Sequence, residues 1–287
     1  MPIDTSYVGK TLDVGRAEWS EKDVMLYALG VGETSLPFTY EGADLKVLPT
    51  FAVIPAFSSM FSMGSVMRVN PMMIVHGEQR IEVPGPIPTR GKITSTPKIS
   101  AIYDKGSGAV MVIDVESHDE KGNLVFRNVF TTFVKGEGGF GGDRGPSGKK
   151  NVPPERKPDA VVEMPTQDWQ ALLYRLSGDM NPLHADPQMA AIGGYSKPIL
   201  HGLCTFGHAG RAVIHTFCGG DPTKLRDFEV RFSGEVYPGE TIVTEMWKES
   251  PTRIVLQSKA KERDKVVLSN ATVELFAELP KKAEKPK

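Results

Sequence analysis

The chain of 287 residues is poor in cysteine and carries almost no net charge. Its two cysteines, Cys204 and Cys218, are too few for a disulfide framework and fit a reducing compartment. A formal net charge of -1 creates no global field that would attract nucleic acid or an anionic membrane. The sequence also lacks a run of about 20 apolar residues, so we expect no membrane span.

Two further absences concern the ends of the chain. The first residues lack a basic segment followed by an apolar one, so we expect no secretory signal. The last residues do not form a tripeptide of the Ser-Lys-Leu type, so no peroxisomal address is visible at that end. Residues 280–287 are rich in lysine and are predicted to form a charged, solvated tail.

The first half of the chain is predicted to contain helices followed by strands. Ser20, with Asp23 three residues later, is typical of a helix N-terminus. The apolar stretch over residues 48–63 predicts a buried helix. Segments rich in β-branched residues then predict strands over residues 79–83, 92–103, 110–117 and 125–134.

The same order returns after residues 136–158, whose glycines and prolines predict a linker. Helices are predicted over residues 166–176 and 196–215. Strands are predicted over residues 227–232, 241–248, 254–263 and 266–276.

The repeated order can be tested by laying residues 24–37 over residues 171–184. Tyr27 then falls on Tyr174, and Gly32 falls on Asp179. We therefore predict a duplicated α+β unit in which only the second copy keeps a polar constellation. The predicted halves are residues 1–135 and 159–279.

One polar loop follows the helix that opens the second half, in the sequence YRLSGDMNPLHADP from residue 174 to 187. It carries Asp179, Asn181 and His184. Pro182 removes a backbone donor and disfavours helix at the preceding residue. A stiff polar loop between apolar segments suits side chains that must keep a fixed mutual geometry. Ordinary turn chemistry is the alternative, because Asp and Asn bond their own backbone in turns.

Further histidines lie close by, and a metal site is one interpretation of them together with His184 and Asp186. His201, His208 and His215 are spaced by seven residues, which places them along one stripe of a helix. We therefore predict packing or supporting roles for these three and no bound metal. Cys204 is predicted to be a core residue of the same helix and not a nucleophile.

The loop motif, followed by KPILHGLCTFG from residue 197 to 207, resembles the MaoC-like hydratases, in particular the (R)-specific enoyl-CoA hydratase 2 of peroxisomal multifunctional enzymes. The segments YALGVG, LPTF, VHGEQ, DKGSG, GGFGG and VYPGE resemble the same family. The resemblance implies a double hot-dog fold, in which each half wraps an antiparallel sheet around a long helix. It also implies hydration of trans-2-enoyl-CoA to (3R)-3-hydroxyacyl-CoA without a metal or redox cofactor.

The resemblance further implies roles for single residues. Asp179 and His184 would be the catalytic pair, and Asn181 would help to hold the water. Gly202 would give its backbone N–H to the thioester oxygen. The positions implied to line the acyl-CoA site are His76, Gly77, Lys105 and Phe232.

The first half has no acid and base at the equivalent positions, so we expect it to bind the acyl chain and CoA. Its methionines predict a flexible tunnel for a medium or long acyl chain, and they are Met60, Met63, Met67, Met72 and Met73.

Several alternatives stay open at this stage. A thioesterase of the same fold and a non-catalytic acyl-CoA-binding module would use similar features. The resemblance implies a homodimer and a peroxisomal location, with the cytoplasm as the alternative. It also implies that relatives are fused to dehydrogenase or lipid-carrier domains. We expect an acyl-CoA substrate and no nucleic-acid partner.

Overall fold

A computed structural model of the protein describes residues 3–42, 44–57, 59, 73–146 and 150–278. Strands in these residues form one antiparallel sheet with the order β1-β3-β4-β5-β2-β7-β10-β9-β8-β6. The strands are β1 (Gly15–Trp19), β2 (Ile74–Glu82), β3 (Gly91–Asp104), β4 (Gly108–Asp119), β5 (Leu124–Lys135), β6 (Ala160–Pro165), β7 (Leu225–Phe232), β8 (Thr241–Lys248), β9 (Arg253–Ala260) and β10 (Lys265–Leu275).

The strand order confirms the predicted duplication. Read inward from either edge, β1-β3-β4-β5-β2 of the first half corresponds to β6-β8-β9-β10-β7 of the second half. The two central strands, β2 and β7, pair antiparallel, with Glu78 opposite Arg231 and Glu82 opposite Asp227. The two halves therefore share one continuous sheet.

Helical segments cover the sheet and carry the loops of interest. The α-helices are α1 (Glu21–Gly30), α2 (Leu36–Thr39), α3 (Val53–Ala56), α4 (Gln170–Tyr174), α5 (Pro187–Ile192) and α6 (Gly202–Phe217). The 3-10 turns are Thr5–Tyr7, Pro49–Ala52, Arg175–Ser177, Pro182–His184, Pro222–Lys224 and Lys261–Arg263. Within the described part of the chain, no helix has both the length and the hydropathy of a membrane span.

The sequence signals at the start of α1 are confirmed. The Asp23 carboxylate accepts a hydrogen bond from the Ser20 backbone N–H at 2.8 Å, and the two residues form a capping box. For the helix predicted over residues 166–176, the structure shows α4 from Gln170 and the following 3-10 turn, so the predicted start at Thr166 is too early. For the helix predicted over residues 48–63, the structure shows a 3-10 turn followed by α3. Residue 58 and residues 60–72 lie outside the described residues, and with them most of the proposed methionine tunnel.

Helix α6 begins later than the sequence predicts. The predicted start at Ser196 is wrong, because the backbone N–H of Leu200 bonds to the carbonyl of Val236 at 2.7 Å and keeps this segment extended. Pro198 also disfavours helix at the residue before it. The helix therefore begins at Gly202.

Helix α6 forms the centre of the second half. Phe206 stacks on Phe228 of β7 with ring centroids 4.3 Å apart, which fixes the helix against the sheet. Cys204 is fully buried, and its thiol lies 3.3 Å from the carbonyl of Gly30. Cys204 is therefore a core residue, as the sequence predicts, and its burial raises the pKa of the thiol.

The glycine-rich segment after β5 packs on the turn between β3 and β4. The Asp104 carboxylate accepts hydrogen bonds from the backbone N–H groups of Gly139 at 2.8 Å and Gly141 at 2.7 Å. These bonds hold the pKa of Asp104 below its usual range. The division of the chain into two halves and a linker stays a prediction.

Candidate active site

His184 is held as a neutral base by its surroundings. Its side chain is 8% exposed, at the end of the 3-10 turn Pro182–His184. Its Nδ1 lies 2.9 Å from the carbonyl oxygen of Ile199. Because a carbonyl only accepts, Nδ1 carries the hydrogen and Nε2 keeps its lone pair. Burial lowers the pKa of His184, which favours the neutral ring.

Asp179 lies beside this imidazole. A carboxylate oxygen of Asp179 and a ring nitrogen of His184 lie within 4.8 Å of each other. Two hydrogen bonds of about 2.8 Å through one water molecule span up to roughly 5.6 Å, so a single water can bridge the pair. The carboxylate also accepts from the backbone N–H of Asn181 at 3.2 Å, which orients it within the loop.

Asn181 begins the turn that presents His184. Its side-chain oxygen accepts a hydrogen bond from the backbone N–H of Leu183 at 3.0 Å. This bond leaves the amide NH₂ group of an exposed side chain free to donate. Turn formation and a contact to water are therefore compatible at this residue.

Gly202 places the N-terminus of α6 at the same site. The first N–H groups of a helix have no partner within the helix, and the side chain of the N-cap residue, His201, makes no capping bond. Gly202 is exposed, whereas residues 203–210 that follow it in the helix are buried. A β-carbon at Gly202 would lie 3.1 Å from Cδ1 of Phe232, so glycine keeps this approach open.

The remaining predicted binding residues lie on the central strands, and one of them, Phe232, lies against Gly202. The ring of His76 makes an edge contact with Phe232, with centroids 4.9 Å apart. Gly77 is the extra residue of a bulge in β2, between His76 opposite Thr132 and Glu78 opposite Thr131. Burial lowers the pKa of His76 to about 4, so this ring is neutral at physiological pH.

Lys105 is not brought to this site by any contact in the described residues. It lies in the turn between β3 and β4, and its ammonium group donates to the carbonyls of Arg144 and Pro146. A contact between Lys105 and a CoA phosphate stays a prediction.

His201 has a more direct contact with the site than the sequence predicts. Its ring stacks on His184 with centroids 3.7 Å apart and an angle of 27° between the planes. Its Nε2 lies 3.1 Å from the backbone carbonyl of Asp179. The seven-residue spacing predicts only a helical stripe, and the one sequence signal for a site role is the His-Gly dipeptide at the helix start.

The other candidates for a metal site lie in separate places. The Asp186 carboxylate accepts from the backbone N–H of Gln188 at 2.8 Å and caps α5. His208 is fully buried, and its Nδ1 lies 2.9 Å from the carbonyl of Cys204. His215 bonds to Glu33, with 2.5 Å between Nε2 and the carboxylate.

Asp179, His184 and His201 are close enough together to suggest a metal site, since their donor atoms lie within 4.8 Å of one another. A metal bound to histidine lies in the plane of the ring, about 2.0–2.1 Å from the nitrogen. The two imidazoles are stacked, with an angle of only 27° between their planes. Planes so nearly parallel intersect much farther from the rings than a metal–nitrogen bond extends, so no single ion can lie in both planes. The stacked arrangement therefore does not fit one shared metal ion.

Comparison with known proteins places the chain in a family. Residues 18–136 match the family described as MFE-2 hydratase 2 N-terminal domain, and residues 149–271 match the MaoC like domain. The chain is 46% identical over 261 residues to the probable enoyl-CoA hydratase 2 of Dictyostelium discoideum, covering 88% of this chain and 89% of that protein. The chain belongs to the MaoC-like enoyl-CoA hydratase 2 family.

Some members of this family are parts of larger proteins. The chain is 47% identical over 270 residues to the peroxisomal hydratase-dehydrogenase-epimerase of Neurospora crassa, covering 90% of this chain but 30% of that protein. Hydratase 2 relatives thus occur both alone and joined to other domains, as the resemblance implied for dehydrogenase fusions.

Solved structures confirm the fold. The MaoC-like dehydratase from Phytophthora capsici is 34% identical and superposes with a TM-score of 0.88, covering 96% of this chain and 98% of that chain. A Mycobacterium tuberculosis protein described as a double hotdog fold is 13% identical, with a TM-score of 0.60 over 96% of this chain and 98% of that chain, and shows the fold alone. The fold is the predicted double hot-dog, and membership in the family makes the chain a hydro-lyase.

Proposed function

We propose that the chain adds water across the double bond of a trans-2-enoyl-CoA and forms a (3R)-3-hydroxyacyl-CoA. The observation that carries the proposal is the pairing of the Asp179 carboxylate with the neutral His184 imidazole within 4.8 Å, beside the N-terminus of α6. We propose that no metal or redox cofactor takes part, because hydration changes no overall oxidation state and the thioester carbonyl activates the double bond.

Hydration of an α,β-unsaturated thioester develops negative charge on the thioester oxygen. The backbone N–H of Gly202 is the donor we assign to that oxygen, with the dipole of α6 adding to the stabilisation. One such donor is worth on the order of 3 kcal/mol in the transition state. Phe232 and His76, packed edge to face, would form an apolar wall next to this donor.

The proton balance of the reaction assigns the catalytic pair. Nε2 of His184 takes a proton from the bridging water as the water oxygen bonds to the β-carbon. The proton taken by His184 then reaches the α-carbon through the Asp179 carboxylate, which accepts and releases it, so one water is added in full and both groups end in their starting states. The amide NH₂ of Asn181 would donate to the same water. Each acid–base step contributes roughly 10²–10⁴-fold to the rate.

Product analysis tests the reaction class. Trans-2-decenoyl-CoA is incubated with the protein, the loss of enoyl-thioester absorbance is followed, and the product is separated on a chiral column. The proposal predicts the (3R)-hydroxyacyl-CoA. Release of free CoA would identify a thioesterase instead, and tight binding without turnover would identify an acyl-CoA-binding module.

We also propose that the enzyme prefers medium or long acyl chains, forms a homodimer and works in peroxisomes in fatty acid β-oxidation. The peroxisomal relative supports the location, and the methionine-rich first half supports the chain-length preference. Equal kcat/KM values for crotonyl-CoA and decenoyl-CoA would contradict the preference. Sedimentation equilibrium tests the dimer, and the distribution of a tagged chain between peroxisomes and cytosol tests the location.

A further inference from the structure

His201 adjoins three residues that the proposed reaction uses, namely His184, Asp179 and Gly202. One face of its ring lies on His184, 3.7 Å away between centroids. Its Nε2 lies 3.1 Å from the backbone carbonyl of Asp179, and its own peptide leads directly into Gly202. The ring of Tyr174 lies 4.8 Å from it and backs it with a buried aromatic side chain.

The hydrogen-bond pattern fixes the tautomer of His201. Because the Asp179 carbonyl can only accept, Nε2 of His201 carries the hydrogen. The other nitrogen, Nδ1, is buried and has no hydrogen-bond partner among the described residues. A buried acceptor without a partner is unfavourable, so phenylalanine would serve better if this position were only filled for packing.

The charges around His201 favour its neutral form. Burial lowers the pKa of His201 well below its usual range, and the nearby charges of His184 and Arg175 lower it further. The partly buried Asp179, to whose backbone it bonds, is the acidic side chain at this site. His201 therefore stays neutral while His184 gains a proton, and the stack never holds two positive rings.

We propose that His201 is a positioning residue for the hydration. Its Nε2–H holds the backbone of Asp179, and its ring face holds the imidazole of His184. The carboxylate and Nε2 of His184 then keep a separation that one water can bridge. This inference rests on the proposed function, because it assigns a role within the same site.

Three substitutions of His201, with one control at another histidine, test the role. His201→Phe keeps the stack and removes the donor. His201→Gln places an amide N–H near the former Nε2, whereas His201→Asn has the same amide but is one methylene too short to reach Asp179. His208→Phe is the matched control, since it replaces another fully buried histidine of α6 that touches neither Asp179 nor His184.

We expect His201→Phe and His201→Asn to lower kcat about 10- to 100-fold, because small misplacements of reacting groups have effects of that size. KM should change by less than about threefold, since His201 does not reach the acyl-CoA. The kcat of His201→Gln should be at least about tenfold higher than that of His201→Asn. The control should keep the wild-type kcat.

Three outcomes would overturn the inference while leaving the proposed function intact. His201→Phe could keep a wild-type kcat, His201→Gln could be no better than His201→Asn, or the fall in kcat could match the fall in the folded fraction measured by circular dichroism. If the wild-type chain does not hydrate trans-2-decenoyl-CoA, the proposed function fails and this role fails with it. Should His201→Phe not fold, the comparison of Gln with Asn decides.

Discussion

The rings of Tyr27 and Tyr174, which the internal repeat makes equivalent, lie 6.0 Å apart between the two halves of the molecule. Both tyrosines are buried, and burial raises the pKa of each phenol. Only Tyr174 also contacts His201 of the candidate site, at 4.8 Å. The duplicated units thus meet at equivalent residues, and the candidate site lies in the second half, next to Tyr174.

The loop that follows Tyr27 carries a buried structural carboxylate, Glu33, whereas the equivalent loop of the second half carries the catalytic groups. Glu33 is 4% exposed, and its carboxylate accepts from His215 at 2.5 Å and from the backbone N–H groups of Thr34 at 3.0 Å and Ser35 at 2.8 Å. Gly32, the counterpart of Asp179, has no side chain to offer. This loop is therefore fixed to α6 and has no acid–base pair of its own.

Single substitutions in the catalytic pair should abolish most of the activity. Asp179→Asn and His184→Gln are each expected to lower kcat by at least about 10²-fold, because each removes one proton-transfer group. Asp186→Asn is the control, since this nearby acid caps α5 and asparagine caps helices equally well. Steady-state hydration of trans-2-decenoyl-CoA measures the effect. Activity in either catalytic variant above about a tenth of wild type would contradict the assignment.

Gly202→Ala should impair the thioester contact. The new β-carbon would crowd the ring of Phe232 at 3.1 Å and shift either the ring or the helix start. We expect a loss of about 10-fold or more in kcat/KM, within the range for a disturbed oxyanion donor. The control is Gly85→Ala, where an added β-carbon has no heavy atom within 4 Å. Partial recovery in the double variant with Phe232→Leu would confirm the steric cause, and an unchanged kcat/KM in Gly202→Ala would contradict it.

The pH dependence of kcat/KM should reflect a histidine with a lowered pKa. His184 acts as a base only when neutral, and burial lowers its pKa. Activity should therefore be constant through neutral pH and fall only below the ordinary histidine value of about 6.5. The acidic limb should be absent from the residual activity of His184→Gln. A limb that begins above about pH 7 in the wild type would contradict a neutral, buried base.

Glu33→Gln should destabilise the fold without touching the chemistry. Burial alone would raise the pKa of Glu33, but the hydrogen bonds from His215 and Ser35 outweigh it and lower that pKa. A carboxyl group with a lowered pKa stabilises the fold above its unfolded pKa, and this stability is lost as the pH falls through the folded value. At neutral pH we expect a loss of about 1–3 kcal/mol in the free energy of unfolding.

Urea unfolding of Glu33→Gln and of the control Glu120→Gln, an exposed turn residue, measures this difference. The difference between wild type and Glu33→Gln should shrink as the pH is lowered below about 4.5, the usual range of a glutamate. A difference that grows on acidification, or a loss of hydration activity in the folded variant, would contradict a purely structural tie.

Alternation and β-branched residues predict most of the long strands, because each buries one face over many residues. The exception is β2, which begins at Ile74, whereas its predicted span begins only at residue 79. The edge strands β1 and β6 were missed. They contain five and six residues, so their alternation is too short to stand out. The sequence also predicts too early a start for α6. The bond from Leu200 to Val236 keeps the preceding segment extended, and this contact between distant segments leaves no local pattern.

The loop residues of the candidate site could be found from sequence because Asp179, Asn181 and His184 lie within one short motif. The roles of His201 and Glu33 could not be predicted from the sequence. The stack of His201 on His184 depends on where α6 begins, and the bond from His215 to Glu33 joins residues 182 positions apart. Such contacts arise from the fold and leave no periodic pattern in the sequence.

The most direct test of the account is a double-mutant cycle on the catalytic pair. Hydration of trans-2-decenoyl-CoA is measured for the wild type, Asp179→Asn, His184→Gln and the double variant. If the two groups act as a unit on one water, the double variant should be no more than about tenfold slower than the slower single variant. If the two losses multiply in full, the groups act independently, and the shared-water mechanism is wrong.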